Sequence, residues 1–460
     1  MPVIRTWQLA AGAAAVGLAV AAGAVVAAGP WESGQRRAER DWAAAGDGLD
    51  ARNAAPGRPA PAPSAPGVLS PLGARTAPGP ADAKPGELGE ELGPLFDDPG
   101  LGPLRTASVI DVSTGRPLYG RGETKAMTPA STIKIATAAA ALTALGPDHR
   151  VPTAVVASGA RLTLVGGGDA SLDRAGLRAL ADRTARALDE RGIASVRLAY
   201  DTSLYEGNPL HPIGMNGNLA PVTALMVDQG RTDPESTGYA ERSHDPAGEA
   251  ARAFARLLDR RGVKVTASPA PGRPAAGSRE LAKVSSAPLS TLAERMLTDS
   301  DNDLAEALAR QTAVALGEKA SFAGAGRAVR EQLSQLGLPL AGARFADGSG
   351  LDRKGRVSAR LLTALLARSA DPGRPELRPV LTGLPVAGFS GTLRGRYEDT
   401  APGAGLIRAK TGTLTGVNAL SGTVVAPDGR LLAFAFLAGE TDGRDEAQDA
   451  LDRLAAALVS

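Results

Sequence analysis

A serine and a lysine three residues apart, in Ser131-Thr132-Ile133-Lys134, have the types and spacing of a nucleophile with its own base. Pro129 is a favourable first residue for a helix, so an alanine-rich helix is predicted from there to about Leu145. Residues three apart on a helix share a face, which lets the lysine amine reach the serine hydroxyl. Free backbone N–H groups at the helix start favour a developing anion near the serine. Because lysine is a base only when neutral, burial or a second cation must lower its pKa.

The second motif, Ser300-Asp301-Asn302, lies between two predicted helical segments, residues 289–298 and 303–316. All three residue types cap helix starts, so capping alone would explain the motif. Catalysis is the other interpretation. A serine hydroxyl can relay a proton to a leaving group, and an asparagine amide can hold a substrate carbonyl.

The third motif, Lys410-Thr411-Gly412-Thr413, is predicted at the end of a strand. Lys410 and Thr411 offer a cation and a hydroxyl to a terminal carboxylate. The glycine would let a substrate backbone approach closely. The amide of Thr413, together with that of Ser131, would form an oxyanion hole. A basic strand end that enters a turn is the simpler interpretation.

The three motifs are more specific together than apart. Only Lys134, among eight lysines, has a serine three residues before it, and only Asn302, among six asparagines, has one two residues before it. The set S-x-x-K, S-D-N and K-T-G is the signature of class A β-lactamases and penicillin-binding proteins. The combination therefore predicts a serine enzyme that forms an acyl-enzyme on Ser131.

Composition argues against other chemistries. The chain has no cysteine, which excludes disulfides, thiolate nucleophiles and zinc–cysteine sites. Its three histidines, His149, His211 and His244, are interpreted as surface or turn residues, not as a metal site or part of a Ser–His triad. A net charge of +2, from 51 basic and 49 acidic residues, predicts no nucleic-acid partner. No metal and no cofactor are expected.

The elements around the motifs predict an α+β fold. Strands are predicted at residues 107–112 and 118–119 near the start, and at 406–410, 417–425 and 431–437 near the end. Asp428-Gly429 predicts a hairpin between the last two strands, and an amphipathic helix closes the chain. Strands from both ends around a helical middle predict one antiparallel sheet flanked by helices.

The first hundred residues predict export and a tether. An apolar run from Leu9 to Gly29 follows Arg5 and could span a bilayer, which takes about 20 residues. Residues 1–30 are therefore predicted to be a signal peptide or a signal anchor. Residues 31–96 are rich in Ala, Pro and Gly and are predicted to be a disordered tether. The protein is expected outside the cytoplasmic membrane, anchored in it if the signal is uncleaved or secreted to the cell wall.

Residues 151–283 have a different pattern of predicted secondary structure from the rest of the chain. Short strand-like pieces there surround helices near residues 173–191 and 247–261. This pattern predicts an inserted α/β lobe within a catalytic domain formed by residues 97–150 and 284–460.

With these motifs, the sequence from about Leu101 to Ser460 resembles the D-alanyl-D-alanine carboxypeptidase/endopeptidase family, the low-molecular-mass class C penicillin-binding proteins. The long separation of Ser131 from Ser300 suits the inserted lobe of that family and exceeds what a compact β-lactamase needs. Further stretches carry the resemblance: Gly166-Gly167-Gly168-Asp169, Asn218-Leu219-Ala220-Pro221-Val222-Thr223, Asp347-Gly348-Ser349-Gly350-Leu351 and Ser390-Gly391-Thr392-Leu393.

The resemblance implies a penicillin-binding, serine β-lactamase-like transpeptidase fold and a serine-type D-Ala-D-Ala carboxypeptidase, with endopeptidase activity left open. Its implied partners are peptidoglycan stem peptides and β-lactam antibiotics. The implied catalytic residues are the nucleophile Ser131, the general base Lys134, then Ser300, Asn302 and Lys410. The implied substrate-binding residues are Thr411, Gly412 and Thr413, with Asp169, Arg353 and Leu414 for the stem-peptide diamino acid. A carboxylate and a guanidinium suit an amino-acid head group.

Three other functions stay open at this point. A serine β-lactamase shares acylation but needs a base to activate water, which in class A enzymes is a glutamate after the second motif. Glu306 is interpreted as an exposed helix charge, and Glu318 and Glu331 as solvated surface, so no such base is identified. A non-hydrolytic sensor would keep the acyl group. An esterase on the same scaffold would not need Lys410 to bind a carboxylate.

Overall fold

The computed structural model describes residues 87–397 and 402–459. The predicted signal segment 1–30, and residues 31–86 of the predicted tether, lie outside this part of the chain. Within the described residues, no helix is both long enough and apolar enough to cross a membrane.

Strands and helices are distributed over the whole described chain. The strands are β1 Leu104–Asp111, β2 Pro117–Arg121, β3 Ala126–Met127, β4 Pro152–Ser158, β5 Arg161–Gly166, β6 Ser195–Asp201, β7 Lys264–Val265, β8 Ala270–Pro271, β9 Arg279–Ser285, β10 Val357–Ser358, β11 Arg408–Leu414, β12 Val417–Val425 and β13 Leu431–Gly439. The α-helices are α1 Glu87–Phe96, α2 Lys134–Leu145, α3 Arg174–Asp189, α4 Pro246–Asp259, α5 Leu289–Thr298, α6 Asn302–Ala315, α7 Phe322–Gln335, α8 Ala359–Ser369, α9 Arg378–Thr382 and α10 Arg444–Ala456.

A five-stranded antiparallel sheet joins the two ends of the described chain. Its strand order is β11-β12-β13-β1-β2. The turn between β12 and β13 contains Asp428-Gly429, and Gly429 has φ +85°, a conformation that favours glycine. This confirms the predicted hairpin.

Side chains of β13 alternate between the two faces of this sheet, and each face is covered. Ala433, Ala435 and Leu437 lie in a core shared with α2 and α5 to α8. Phe434 and Phe436 face a second core shared with α1 and α10. Because both faces are buried, β13 is apolar throughout, and eight of the nine residues of β12 are buried, including Asn418, Ser421 and Thr423.

Helix α2 runs through the larger helical layer. Residues 134–142 are all buried, and its sequence KIATAAAALTAL is dominated by alanine. Small side chains let α5, α6 and α7 pack closely around it. The helix that carries Lys134 is therefore enclosed by protein.

Helix α1 corrects the predicted extent of the tether. Leu92 and Phe96 are buried against the sheet and α10, and the Phe96 ring meets Tyr119 edge-on, with ring centroids 6.3 Å apart. The prediction of a disordered tether is wrong for residues 87–96, because these apolar side chains give the segment a face that packs on the domain.

Residues 152–285 form a second sheet with its own apolar core. Strands β5, β6 and β7 run parallel and are connected through α3 and α4, whereas β4 pairs antiparallel with β5 and β9. Leu180 of α3 and Phe254 of α4 pack in this core. The sheet lies in sequence between α2 and α5, so the predicted α+β fold with an inserted α/β lobe is confirmed.

A short strand pair anchors the chain that leads to Ser131. Met127 of β3 pairs with Val357 of β10, and Ser358 then caps α8 by accepting a hydrogen bond from the Leu361 N–H at 3.1 Å. The segment that enters α2 is therefore attached to α8, one of the helices that cover the sheet.

Candidate active site

The turn that carries Ser131 is tighter than the predicted helix start. Residues 130–133 form a 3₁₀ turn, and the α-helix begins only at Lys134. A 3₁₀ helix has three residues per turn, so side chains at positions i and i+3 eclipse one another. The three-residue spacing therefore aligns the Ser131 hydroxyl with the Lys134 amine more closely than an α-helix would.

Two glycines pack against this turn. A Cβ added at Gly412 of β11 would lie 2.8 Å from the Pro129 carbonyl oxygen. A Cβ added at Gly350, which has φ +86°, would lie 2.0 Å from the Ala130 carbonyl oxygen. Side chains at these positions would displace the turn. The sequence predicts that Gly412 admits a substrate backbone, but the backbone that contacts it is the chain's own.

All three protons of the Lys134 ammonium have acceptors. Its Nζ donates to Ser131 Oγ at 3.0 Å, to Asn302 Oδ1 at 2.7 Å and to the Ser349 carbonyl oxygen at 2.8 Å. An ammonium has three donors and no acceptor, so these contacts fix its position completely. Loss of one proton would leave a lone pair among the same three partners.

Burial lowers the pKa of Lys134. The side chain is fully buried, and desolvation lowers its pKa from 10.5 to about 8, although the negative charges of Asp347, Glu306 and Asp301 act in the opposite direction. The amine is therefore neutral in a substantial fraction of molecules near neutral pH. The lowered pKa is the property that a lysine needs to act as a base beside Ser131.

Ser300 and Asp301 of the second motif lie in the loop between α5 and α6, as predicted, and Asn302 is the first residue of α6. Asp301 caps α6, because its Oδ1 accepts a hydrogen bond from the Leu304 N–H at 3.0 Å. The Asn302 amide is held at both ends: its Oδ1 accepts from Lys134, and its Nδ2 donates to the Asn218 carbonyl at 3.0 Å. The capping interpretation is correct for Asp301, whereas Asn302 contacts the amine beside Ser131.

The third motif lies inside β11, not at the end of a strand. The strand continues to Leu414 because Thr411, Gly412 and Thr413 still pair with β12. The Ala409 N–H points away from β12 and donates to the Pro385 carbonyl at 2.9 Å. Amide directions alternate along a strand, so the N–H groups of Thr411 and Thr413 also point to this open edge.

Lys410 is a buried amine without a carboxylate partner among the described residues. Its Nζ donates to the Thr411 carbonyl at 2.9 Å, and burial together with repulsion from Lys134 holds its pKa well below the usual range. The Thr411 hydroxyl donates to Thr392 Oγ1 at 2.8 Å. Lys410 is not among the described residues that line the neighbouring cavity, but a carboxylate bound beside Thr411 would favour its ammonium form electrostatically.

A cavity of about 860 Å³ joins the three motifs. Residues from each motif lie on its wall: Ser131, Ser300, Asn302, Thr411 and Thr413. The wall also includes Asn218 from the inserted lobe. A molecule in this cavity would meet the serine hydroxyl, the open edge of β11 and the second motif at the same time.

Comparison with known proteins identifies the family. A model of the D-Ala-D-Ala carboxypeptidase 3 (S13) family matches residues 88–241 and 233–458. The chain belongs to this family. The S13 chain is 38% identical over 432 residues to "Carboxypeptidase DacB" of Mycolicibacterium smegmatis, covering 89% of this chain and 91% of that protein. It is 30% identical over 439 residues to the "D-alanyl-D-alanine carboxypeptidase" of an Actinomadura species, covering 75% and 80%.

The fold of the S13 chain also has a solved counterpart. The crystal structure of penicillin binding protein 4 (dacB) from Haemophilus influenzae matches it with a TM-score of 0.67 at 22% identity, over 81% of this chain and 97% of that one. The penicillin-binding type of fold that the motifs predict is therefore confirmed.

Three residues predicted for a diamino-acid pocket are not among the described residues that line the cavity of the S13 chain. The Asp169 carboxylate is buried and accepts hydrogen bonds from the Ser171 N–H and hydroxyl at 2.8 and 2.5 Å. Arg353 donates to the Thr415 carbonyl at 2.6 Å, and Leu414 ends β11. None of the three belongs to the described residues that line the cavity, where Ser171 lies instead of Asp169. Their role in substrate recognition stays a prediction.

Sequence reasoning misses a buried polar cluster behind Lys134. Glu306 is fully buried, so its interpretation as an exposed helix charge is wrong. His211 is also buried and contacts Asp347 Oδ2 at 3.1 Å, so it is not a surface residue, although it does begin a turn closed by the Gly214 N–H at 2.8 Å. One signal is present in the sequence: Glu306 is four residues after Asn302 and so shares its helix face.

Proposed function

We propose that this D-Ala-D-Ala carboxypeptidase removes the terminal D-alanine of peptidoglycan stem peptides through an ester on Ser131, with Lys134 as the general base. One observation carries the proposal: the buried Lys134 amine is within hydrogen-bond distance of both Ser131 Oγ and Asn302 Oδ1. This joins the first two motifs into one catalytic group.

Acylation follows from this geometry. The neutral Lys134 amine takes the hydroxyl proton while Ser131 Oγ attacks the carbonyl carbon of the penultimate D-alanine. The oxyanion that forms is stabilised by the N–H groups of Ser131 and Thr413. The C–N bond then breaks, and the leaving D-alanine amine takes the proton from Lys134 through the Ser300 hydroxyl. Water attacks the resulting ester, with Lys134 again accepting a proton, and Ser131 is regenerated.

The third motif provides the site for the substrate carboxylate. Thr411 and Thr413 line the cavity wall, and Lys410 is buried beside them. A substrate carboxylate bound at this wall would favour the ammonium form of Lys410, which then supplies the positive charge. A substrate without a terminal carboxylate would leave this charge unpaired. The arrangement therefore favours a carboxypeptidase over an esterase.

β-Lactams are proposed to acylate Ser131 by the same steps and to leave slowly. Their leaving amine stays attached to the acyl group and blocks water unless a base is held nearby. Four of the five aspartates on the cavity wall already have partners: Asp301 accepts from Gln229, Asp303 is paired with Arg242, Asp228 is paired with Arg174, and Asp173 caps α3. The fifth, Asp299, is exposed to solvent where α5 ends. Glu306 lies behind Lys134, bound to a backbone loop. We therefore expect an acyl-enzyme that lasts many minutes.

Endopeptidase activity and export belong to the proposal. A cavity of about 860 Å³ is much larger than one alanine, which supports a leaving group longer than D-alanine. The apolar run from Leu9 to Gly29 supports export, with membrane attachment if the run is uncleaved. A fusion of residues 1–86 to a reporter that is active only outside the cytoplasm should give signal; activity of a cytoplasm-only reporter would contradict export.

The test uses purified protein with diacetyl-Lys-D-Ala-D-Ala and, in parallel, a fluorescent penicillin. We expect release of D-alanine and a stable fluorescent band, both abolished in Ser131→Ala. Mass spectrometry should place the penicillin adduct on Ser131. An adduct on another residue would refute the mechanism.

Two further outcomes would favour the alternative functions. Sustained turnover of a chromogenic cephalosporin, many molecules per second, without D-alanine release would indicate a β-lactamase. A stable penicillin adduct without cleavage of D-Ala-D-Ala peptides or of cross-linked peptidoglycan fragments would indicate a sensor.

A further inference from the structure

A buried polar cluster lies behind Lys134, and none of the steps above uses it. We call it the Glu306 cluster; it consists of His211, Glu306, Arg310 and Asp347, all of them buried. Glu306 Oε2 accepts from Arg310 Nη1 at 3.3 Å, and Asp347 Oδ2 contacts His211 Nε2 at 3.1 Å. Buried charges are costly, so four polar groups beside a catalytic amine call for an explanation.

The cluster is connected to Lys134 through the backbone loop 347–350. Glu306 Oε1 accepts the N–H groups of Gly348 and Ser349 at 3.1 and 2.9 Å. On the other side of the loop, α2 donates twice: Lys134 to the Ser349 carbonyl at 2.8 Å, and Thr137 to the Gly348 carbonyl at 2.7 Å. The loop is therefore held between one carboxylate and two side chains of α2.

The hydrogen bonds define the charges in the cluster. His211 Nδ1 accepts from the Ile213 N–H at 3.3 Å, so Nε2 carries the proton and donates to Asp347. These contacts occupy both ring nitrogens, so His211 has none left for a metal ion. Glu306 and Asp347 act only as acceptors, which is the hydrogen-bonding pattern of carboxylates. Burial and the neighbouring Asp347 raise the pKa of Glu306, whereas the Arg310 guanidinium and the N–H groups that it accepts favour its anionic form. With one cation, Arg310, the cluster carries a net negative charge behind the Lys134 ammonium.

We propose that Glu306 is a positioning residue for the general base: its carboxylate holds the 347–350 loop so that the Ser349 carbonyl meets Lys134, and its charge stabilises the ammonium form. The inference rests on the proposed role of Lys134. The other charged groups that face Lys134 are Asp301 at the N-cap of α6, Asp347 in the loop and Lys410 of β11. A variant at Glu306 leaves these three in place.

Two variants separate the geometric effect from the charge effect. Glu306→Ala removes the acceptor for both loop N–H groups, so the maximal rate of acylation by a fluorescent penicillin should fall at least tenfold. Glu306→Gln keeps an oxygen for these N–H groups and should restore most of that rate. It also removes a negative charge that favours the ammonium, so the acid limb of its pH–rate profile should move to lower pH. We expect a shift of about half a pH unit, which is roughly a threefold gain in rate at pH 6 relative to the plateau.

Asp111→Asn is the matched control. Asp111 is also buried, accepts the N–H groups of Ser113 and Thr114 at 2.9 and 3.1 Å, and is paired with Arg430, but it does not line the cavity. This variant should lower Tm and leave both the plateau and the acid limb unchanged.

The outcomes distinguish this inference from the proposed function. If the unaltered protein is not acylated, both are overturned. If it is acylated normally and both Glu306 variants match Asp111→Asn in plateau and limb, the positioning role alone is overturned. If Glu306→Ala does not fold, the pH–rate profile of Glu306→Gln is the test. An acid limb at the same pH as in the unaltered protein overturns the inference, and an acid limb at lower pH supports it.

Discussion

Acidification should suppress acylation in proportion to the neutral fraction of Lys134. A lysine with a pKa of 10.5 is neutral in about 0.03% of molecules at pH 7, whereas a pKa of about 8 gives about 10%, a gain of roughly 300-fold. The rate should increase with pH because the neutral amine is the active form. Between pH 8 and pH 6 the neutral fraction falls from about one half to about one hundredth, so the rate should fall about 50-fold.

The assay is the second-order rate constant for acylation by a fluorescent penicillin between pH 5.5 and 9.5, with Tm measured at each pH to show that the protein stays folded. Asp303 also lies on the cavity wall, and burial raises its pKa to about 7. Asp303→Asn therefore serves as a control, and its acid limb should stay near pH 8. A rate that changes less than threefold between pH 8 and pH 6 would refute the assignment of Lys134 as the base.

Three further predictions concern the base and the packing around it. Lys134→Arg should reduce acylation at least a thousandfold despite its retained charge, because guanidinium stays protonated; a loss of only a few-fold would contradict the base assignment. Gly350→Ala should lower Tm much more than Gly429→Ala, since both have positive φ but an added Cβ meets the Ala130 carbonyl at 2.0 Å only in the former. Equal losses of Tm in the two variants would show that the turn at residues 130–133 can shift to accommodate the added Cβ. Leu92→Ala should cost about 2–5 kcal/mol in the free energy of unfolding while acylation is retained, as measured by urea denaturation; no loss would mean that α1 does not stabilise the domain.

Local patterns predicted the elements whose structure depends on near neighbours. The hairpin at Asp428-Gly429 and the helix beginning near Ser131 follow from turn chemistry and from proline and alanine preferences. Helix α1 was missed because its surroundings in sequence are rich in Pro, Ala and Gly. Leu92 and Phe96 gain stability only by packing on β2 and α10, which lie far from them in the chain.

The residues of the candidate site also separate into those that local sequence predicts and those whose environment depends on distant segments. Ser131 and Lys134 were identified because their spacing within one turn already places them together. Glu306 was misinterpreted because a glutamate on a helix is usually solvated, and its true partners, Gly348 and Ser349, come from a distant loop. Asp169 was proposed for substrate binding from the family resemblance, and that role stays a prediction; the structure adds that its carboxylate accepts hydrogen bonds from Ser171.

By itself, the sequence determined the predicted type of chemistry: a serine with a lysine base, and a second lysine proposed to bind a carboxylate, in three motifs whose meaning depends on residue type and short spacing. Only the tertiary structure decided how these groups are tuned. The pKa of Lys134 depends on its removal from water and on the charges of Asp347, Glu306 and Asp301, which come from other segments of the chain. Desolvation and the charge around a side chain are set by everything packed against it, so they exist only once the segments have come together.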